Sequence, residues 1–254
     1  MQQGIDEKIL LAKAADTALL CEKHYTVKAL GFLTPAEAAV IKAHLRQIGI
    51  PDIRLTFYGG YPDAERCMFM ALPEYAEDDA MAEFVSALEI SGRDIDALNH
   101  RDFLGSLLGL GIRREKIGDI LCLEGKTLVF AAADIGEYII SNLDKVGRCG
   151  VKIRKVEPGE FEVPKRKFEE IKTTVAALRL DCIVAAALKT SRSVAAEVIK
   201  SKRVSVNWLE CDNVSLQVNP GDTFSVRGAG RFILSDSLNT TKKGRLGICI
   251  EKAT

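Results

Sequence analysis

No stretch of this chain approaches the roughly 18 consecutive apolar residues that a membrane-spanning helix needs, although 47% of its 254 residues are hydrophobic. Met1 to Lys8 mix polar and acidic groups and lack the basic start and apolar run of a secretory signal, so no export is expected. Histidine is scarce: His24, His44 and His100 have no metal-ligand spacing. The seven cysteines, at 21, 67, 122, 149, 182, 211 and 249, are odd in number, widely spaced and without a C-x-x-C pair. Neither a disulfide framework nor a zinc site is expected; reduced, mostly buried thiols in a cytosol fit better. There is no G-x-x-x-x-G-K-S/T phosphate loop and no G-x-S-x-G nucleophile elbow. Gly109-Leu110-Gly111 lacks the third glycine of a nucleotide-binding turn and reads as a helix end. The expectation is a chain with no cofactor and no metal.

Neutrality is also only an average. Residues 1–147 hold 15 basic and 23 acidic side chains, and residues 148–254 hold 20 basic and 12 acidic ones, giving −8 and +8. Such asymmetry suggests a polyanion-binding module joined to something else. Charge alone does not separate nucleic acid from anionic lipid or an acidic protein.

Three segments emerge along the chain. In residues 1–75, Ile5, Ile9, Leu10, Ala12 and Leu20 sit near helical spacing. Thr34-Pro35-Ala36-Glu37 is a capping box with proline at the first helical position, and Gly49 can end that helix. Strand-like Arg54–Tyr58 and Arg66–Leu72 then flank a turn-rich Gly59–Asp63, giving a helix-plus-hairpin unit. After an acidic linker, Glu74 to Asp79, residues 76–160 read as strand–helix–strand–strand–helix–strand. The elements expected are Phe84–Ile90, His100 to Leu108, Lys116–Leu123, Thr127–Ala131, a helix capped by Asp134, and Val151–Val156. This is the split βαβ order of ferredoxin-like and many RNA-binding domains. A basic linker, Pro164-Lys165-Arg166-Lys167, leads to residues 165–254. The fold class expected is α+β in three small units.

The last segment is the most specific. It opens Arg179-Leu180-Asp181, runs through an apolar helix to Lys189, and starts a second helix with Ser191-Arg192-Ser193. A strand, Arg203-Val204-Ser205-Val206-Asn207, follows, then the Gly221-Asp222 turn and a further strand, Arg227-Gly228-Ala229-Gly230-Arg231. Ser191 can cap the second helix and present its amides to a phosphate. Lys189, Arg192, Lys200, Lys202 and Arg203 can neutralise phosphates, and Asn207 offers a donor and an acceptor to a base or sugar. Each basic residue alone also fits a solvated face, and Asp181 fits a helix cap or ion-pair partner better than a catalytic acid. Taken in order, these elements resemble the RNA-binding domain first seen in small-subunit ribosomal protein S4. One departure is Lys202, where that pattern carries glycine and where lysine takes the turn at some cost. The resemblance implies an RNA site of Arg179, Lys189, Ser191, Arg192, Ser193, Lys200, Lys202, Arg203, Asn207, Arg227 and Arg231.

His100–Gly105, Gly109–Ile120, Ile171–Val175 and Thr241–Arg245 extend the likeness to the YlmH family of bacterial proteins. That resemblance implies an RNA-binding middle domain, and Arg113, Arg114 and Lys116 become a second RNA contact. It also implies non-catalytic, cytoplasmic binding of structured RNA, 23S rRNA and peptidyl-tRNA on the 50S subunit, in ribosome-associated quality control, with no membrane or DNA partner. Two alternatives stand beside it: an RNA-modifying enzyme whose catalytic unit is residues 1–160, and a cell-division adaptor. Against a pseudouridine synthase, Arg179-Leu180-Asp181 lies inside the S4-type segment, and no second such motif occurs.

Overall fold

A computed structural model describes residues 2–48, 52–163, 168–235, 239–240 and 245–253. The chain divides into two compact units, Met1–Val163 and Pro164–Thr254. The expected helix stop at Gly49, the basic stretch 164–167 and residues 241–244 lie outside the described residues. No helix among those described is long and apolar enough to cross a membrane.

The first unit begins with α1 (Gln2–His24), β1 (Lys28–Leu33), α2 (Pro35–Ile48), β2 (Ile53–Tyr58) and β3 (Cys67–Pro73), the strands forming an antiparallel sheet in the order β1-β3-β2. Strand β1 was not expected, because Lys28–Leu33 is short, carries Gly31 and shows no clean alternation. The Thr34 box is present: the Glu37 amide donates to Thr34 Oγ at 3.3 Å, and the Thr34 amide donates to the Glu37 carboxylate at 2.7 Å. The expected apolar face of α1 is corrected. Ala14, Ala18 and Cys21 face the core, whereas Ile9 and Leu20 are exposed. Small residues let the helix approach the sheet closely, and counting large apolar ones missed that.

The unit continues with β4 (Val85–Ser91), α3 (His100–Gly109), β5 (Ile117–Leu123), β6 (Lys126–Ala132) and α4 (Ala133–Asn142). A short hairpin of β7 (Lys145–Val146) and β8 (Cys149–Gly150) precedes β9 (Lys152–Val156). The order β5-β6-β4-β9, antiparallel throughout, is that of the split βαβ layout. Asn99 caps α3 in a reciprocal box with Asp102. Asp134 does not cap α4, as expected from sequence: Ala132 holds that position, and Asp134 sits in the first turn, paired with Lys116.

Residues 1–75 join this layout because their sheet buries both faces. Ala14, Ile41 and Phe69 meet on the helix side. Phe32, Met68 and Met70 pack with Ala132 and Ile135 on the other. A polar anchor fixes the junction. The buried Arg66 guanidinium donates to the carbonyls of Phe32 (3.0 Å), Ile117 (3.0 Å) and Arg114 (3.3 Å). Buried Asp119 accepts from Tyr61 Oη (2.7 Å), the Glu65 amide (2.7 Å) and the Arg66 amide (3.1 Å). The approach is so close that a Cβ on Gly118 would lie 2.6 Å from the Phe32 ring.

The second unit holds β10 (Phe168–Val175), α5 (Leu180–Ala187), α6 (Arg192–Lys200), β11 (Val204–Val206), β12 (Leu209–Cys211), β13 (Thr223–Val226), β14 (Gly230–Leu234), β15 (Asn239–Thr240) and β16 (Leu246–Ala253). Its sheet runs β10-β16-β14-β13-β11-β12, with β15 beside β16. The helices cover one face through Leu180, Ile183, Ala195 and Ile199, over Val204, Phe224 and Phe232. The seven cysteines are free thiols, and three of them, Cys21, Cys182 and Cys249, are buried. The expectation of mostly buried thiols is corrected accordingly.

Arg66→Met should lower the unfolding free energy by about 1–3 kcal/mol, because buried carbonyls lose their donors. Denaturant melts of the two proteins measure this; an unchanged midpoint would show that the anchor is dispensable.

Candidate RNA-binding surface

The surface is organised from Asp181, in the first turn of α5. Its side chain is 5% exposed and accepts from the Cys182 amide at 2.9 Å. Arg179 Nε reaches one carboxylate oxygen and Nη2 the other, both at 3.2 Å. Arg192 donates to Oδ2 from Nη2 at 2.5 Å and from Nε at 3.2 Å. Burial pushes the Asp181 carboxyl up, but the hydrogen bonds from Arg192 and then Arg179 outweigh it and hold the group below the usual aspartate range. One carboxylate therefore fixes two arginines at the starts of two helices. Ser191 caps α6, its Oγ accepting from the Val194 amide at 3.3 Å, and its hydroxyl lies 2.9 Å from that of Ser193. The exposed Arg192 stands at the positive end of α6, held in place rather than waving in solvent.

Both helices end in the same way. The Lys189 amide donates to Ala186 and the Thr190 amide to Ala185; the Lys202 amide donates to Ile199 and the Arg203 amide to Val198. These are Schellman pairs, whose left-handed residue is usually glycine. Here that residue is Lys189 (φ 52°) at one helix and Lys202 (φ 57°) at the other. The anticipated cost at Lys202 is real, and a second lysine shares it.

Beyond α6, Arg227-Gly228-Ala229 is a turn between β13 and β14, not the strand expected, because Gly228 and Gly230 have φ of 88° and 110°. The Arg227 amide donates to the Arg203 carbonyl, and Arg203 Nη2 donates to the Arg227 carbonyl, both at 2.9 Å. Lys202, Arg203, Arg227 and Arg231 thus line one groove on the sheet face away from the helices. Lys200 is exposed at the end of α6. Asn207 serves the fold instead of a base: its carboxamide donates to Asp222 (2.7 Å) and accepts from the Thr223 amide (3.0 Å), tying two turns together. Trp208, Ser205 and Ser225 also line the groove and were missed, since a tryptophan in a hairpin turn carries no recognisable sequence pattern.

The basic trio of the middle segment does not form one cationic patch. Arg113 is exposed and paired with Glu115 at 2.8 Å, and Lys116 pairs with Asp134. Arg114 turns inward, donating to Ile117 at 2.5 Å. Burial and the neighbouring Arg66 lower its pKa to about 10. Nor is the middle sheet an open stacking platform: Phe130, at the centre of its helix-free face, is covered by Tyr61 at 4.7 Å and Phe161 at 5.6 Å between ring centroids.

Arg192→Ala should weaken RNA binding by about 1–3 kcal/mol, the range of a charge-assisted contact. Contrary to a purely surface reading, it should also destabilise the fold, because Asp181 loses its closest partner. Asp181→Asn should lower both stability and affinity. The sign for pH follows from the depressed carboxyl. Its stabilisation is complete above the unfolded value near 3.9 and disappears as pH falls through the lower folded value. Acid melts of wild type and Asp181→Asn should therefore converge; parallel curves would refute this. Lys202→Gly should raise stability by roughly 0.5–1 kcal/mol by relieving the left-handed strain while weakening RNA binding, as paired melts and titrations will show.

Comparison with known proteins agrees with this architecture. Residues 85–160 match the family model described as "Putative RNA-binding domain in YlmH", and residues 178–224 match the S4 domain. The chain is 30% identical over 248 residues to ribosome-associated protein quality control protein P2 of Bacillus subtilis (strain 168), covering 97% of this chain and 95% of that protein. The solved structure of cell division protein ylmH from Streptococcus pneumoniae has a similar fold, with a TM-score of 0.52 at 20% identity, over 60% of this chain and 92% of that one. The chain belongs to the YlmH family of RNA-binding proteins.

Proposed function

We propose that this protein binds structured ribosomal RNA and tRNA without catalysis, on the large subunit of the bacterial ribosome in the cytosol, during ribosome-associated quality control. The observation that carries the reading is the preset cationic surface of the second unit, where Arg192 is locked by Asp181 at the start of α6. The Bacillus subtilis relative, whose name places it in ribosome-associated quality control, supports the setting. The function needs rigid recognition of phosphates in a folded RNA, and structured RNA is read chiefly by shape, phosphate and 2′-hydroxyl contacts.

The residues proposed for contact are Arg192, with Ser191 and Ser193 shaping the helix start, and Lys189, Lys200, Lys202, Arg203, Arg227 and Arg231. Arg179 orients Asp181 and takes a secondary place. Arg114 and Asn207 are left out, because their polar groups are engaged inside the fold. Arg113 and Lys116 remain as peripheral contacts of the first unit.

The protein should co-sediment with 50S particles through a sucrose gradient, and Arg192→Glu should release it. With four to six phosphates neutralised, the logarithm of the binding constant should fall against log salt with a slope of about −3 to −5. A salt-independent affinity, or sedimentation with 30S particles alone, would reject this reading.

A further inference from the structure

Asn207 and Trp208 are the two residues of the loop between β11 and β12, with Val206 opposite Leu209. Both have positive φ, 47° and 71°. That is the signature of a type I′ hairpin turn, whose second residue is ordinarily glycine. A tryptophan there is strained, and strain kept at an exposed turn points to a use for the side chain. The indole does not serve the core. It is half-buried beside the sheet's outer face, and the Arg231 guanidinium lies over its ring at 4.1 Å.

The surroundings define a ligand chemistry. The groove has a volume of about 490 Å³, within the range of small-ligand sites. Across its floor, Ser205 pairs with Ser225, and Ser225 with Arg231. The two serine hydroxyls lie 2.9 Å apart and supply adaptable donors and acceptors. Lys202, Arg203 and Arg227 stand around the groove, while its acidic side chain, Glu210, is 3.4 Å from Lys202. A planar aromatic stacked with a planar cation, hydroxyls beside it and further cations around it suit a nucleobase with its flanking phosphates. Bases splayed out of folded RNA are captured in this way on aromatic rings and arginine planes. Arg192 opens α6, whereas the groove begins at Lys202, past the C-terminal end of that helix, so the two contacts are separate.

We propose that Trp208 and Arg231 form a stacking site for one unpaired nucleobase of the bound RNA, distinct from the phosphate contact at the start of α6. This rests on the RNA-binding reading above and adds what part of the RNA is recognised.

Trp208 is the chain's one tryptophan, so its emission reports the site directly. The full-length protein is titrated with two labelled RNA hairpins, identical except for a single bulged adenosine. Binding is read by anisotropy of the label, alongside tryptophan emission. The bulged hairpin should quench the emission and bind more tightly than the paired one. Trp208→Gly should remove that preference, a loss of about tenfold, and should melt no lower than wild type, since glycine suits the turn. Trp208→Phe should keep most of it. If both hairpins bind equally and emission does not change, the stacking site is overturned while RNA binding stands. Wild-type preference in Trp208→Gly would overturn it as well. If neither hairpin binds, the RNA-binding reading falls, and this site with it.

Discussion

The cationic surface of the second unit depends on one buried carboxylate. Asp181 has almost no solvent, and leaving it unpaired would be costly. Its two arginine partners are half-exposed or exposed, so each stays hydrated on one side while satisfying the acid on the other. The result links the first turn of α5 to the first turn of α6 and sets the direction of Arg192 before any RNA arrives. A long cationic side chain ordinarily loses rotamer freedom on binding. Here much of that loss is incurred when the protein folds, where the core beneath α5 and α6 offsets it.

The same unit spends stability elsewhere on its surface. Lys189, Lys202, Asn207 and Trp208 all hold left-handed backbone without being glycine. Two end helices and two form a hairpin turn. At three of them a glycine would fold more easily but would offer neither charge nor ring; at Asn207 the side chain knits the turns together. Strain and chemistry coincide, as in sites that evolution keeps for function rather than for stability. By contrast, the first unit devotes its polar interior to holding itself together. Arg66, Arg114 and Asp119 are consumed at the junction of two sheets, and aromatic rings close the face where a related layout would receive bases.

Much of this was legible in the chain. The Thr34 box, the split βαβ order and the succession from Arg179 to Arg231 are local patterns in which side-chain chemistry and backbone geometry agree, so reading them needs no tertiary knowledge. What failed to show depends on neighbours distant in sequence. Arg114 turns inward to the carbonyls of Ile117 and Gly118, at the junction where Arg66 donates to the carbonyl of Arg114, and that junction is not visible from residues 113–116 alone. The burial of Ala14 and Ala18, in place of Ile9 and Leu20, follows from how closely α1 lies on its sheet. Asp134 has the residue type of a cap but stands inside the first turn of α4, where it pairs with Lys116, eighteen residues away. Trp208 reads from sequence as an unremarkable aromatic, because neither the sign of its φ nor the guanidinium above it is written locally.

Strand β10 opens the second unit and has β16 as its neighbour in the sheet, with Phe168 beside Ala253 and Val175 beside Leu246. The pairing spans nearly the whole unit, and β16 also carries the β14 edge. During synthesis, residues 168–175 must therefore wait, with their hydrogen-bonding edge open, until residues 246–253 have been made. Domains usually fold as units behind the ribosome, and here β11 to β14 can pair in order of synthesis while β10 waits for β16. A half-made chain would present helices α5 and α6 on a sheet that still lacks β16, the strand that joins β10 to β14. Translation order thus separates the appearance of α5 and α6 from the completion of the sheet beneath them.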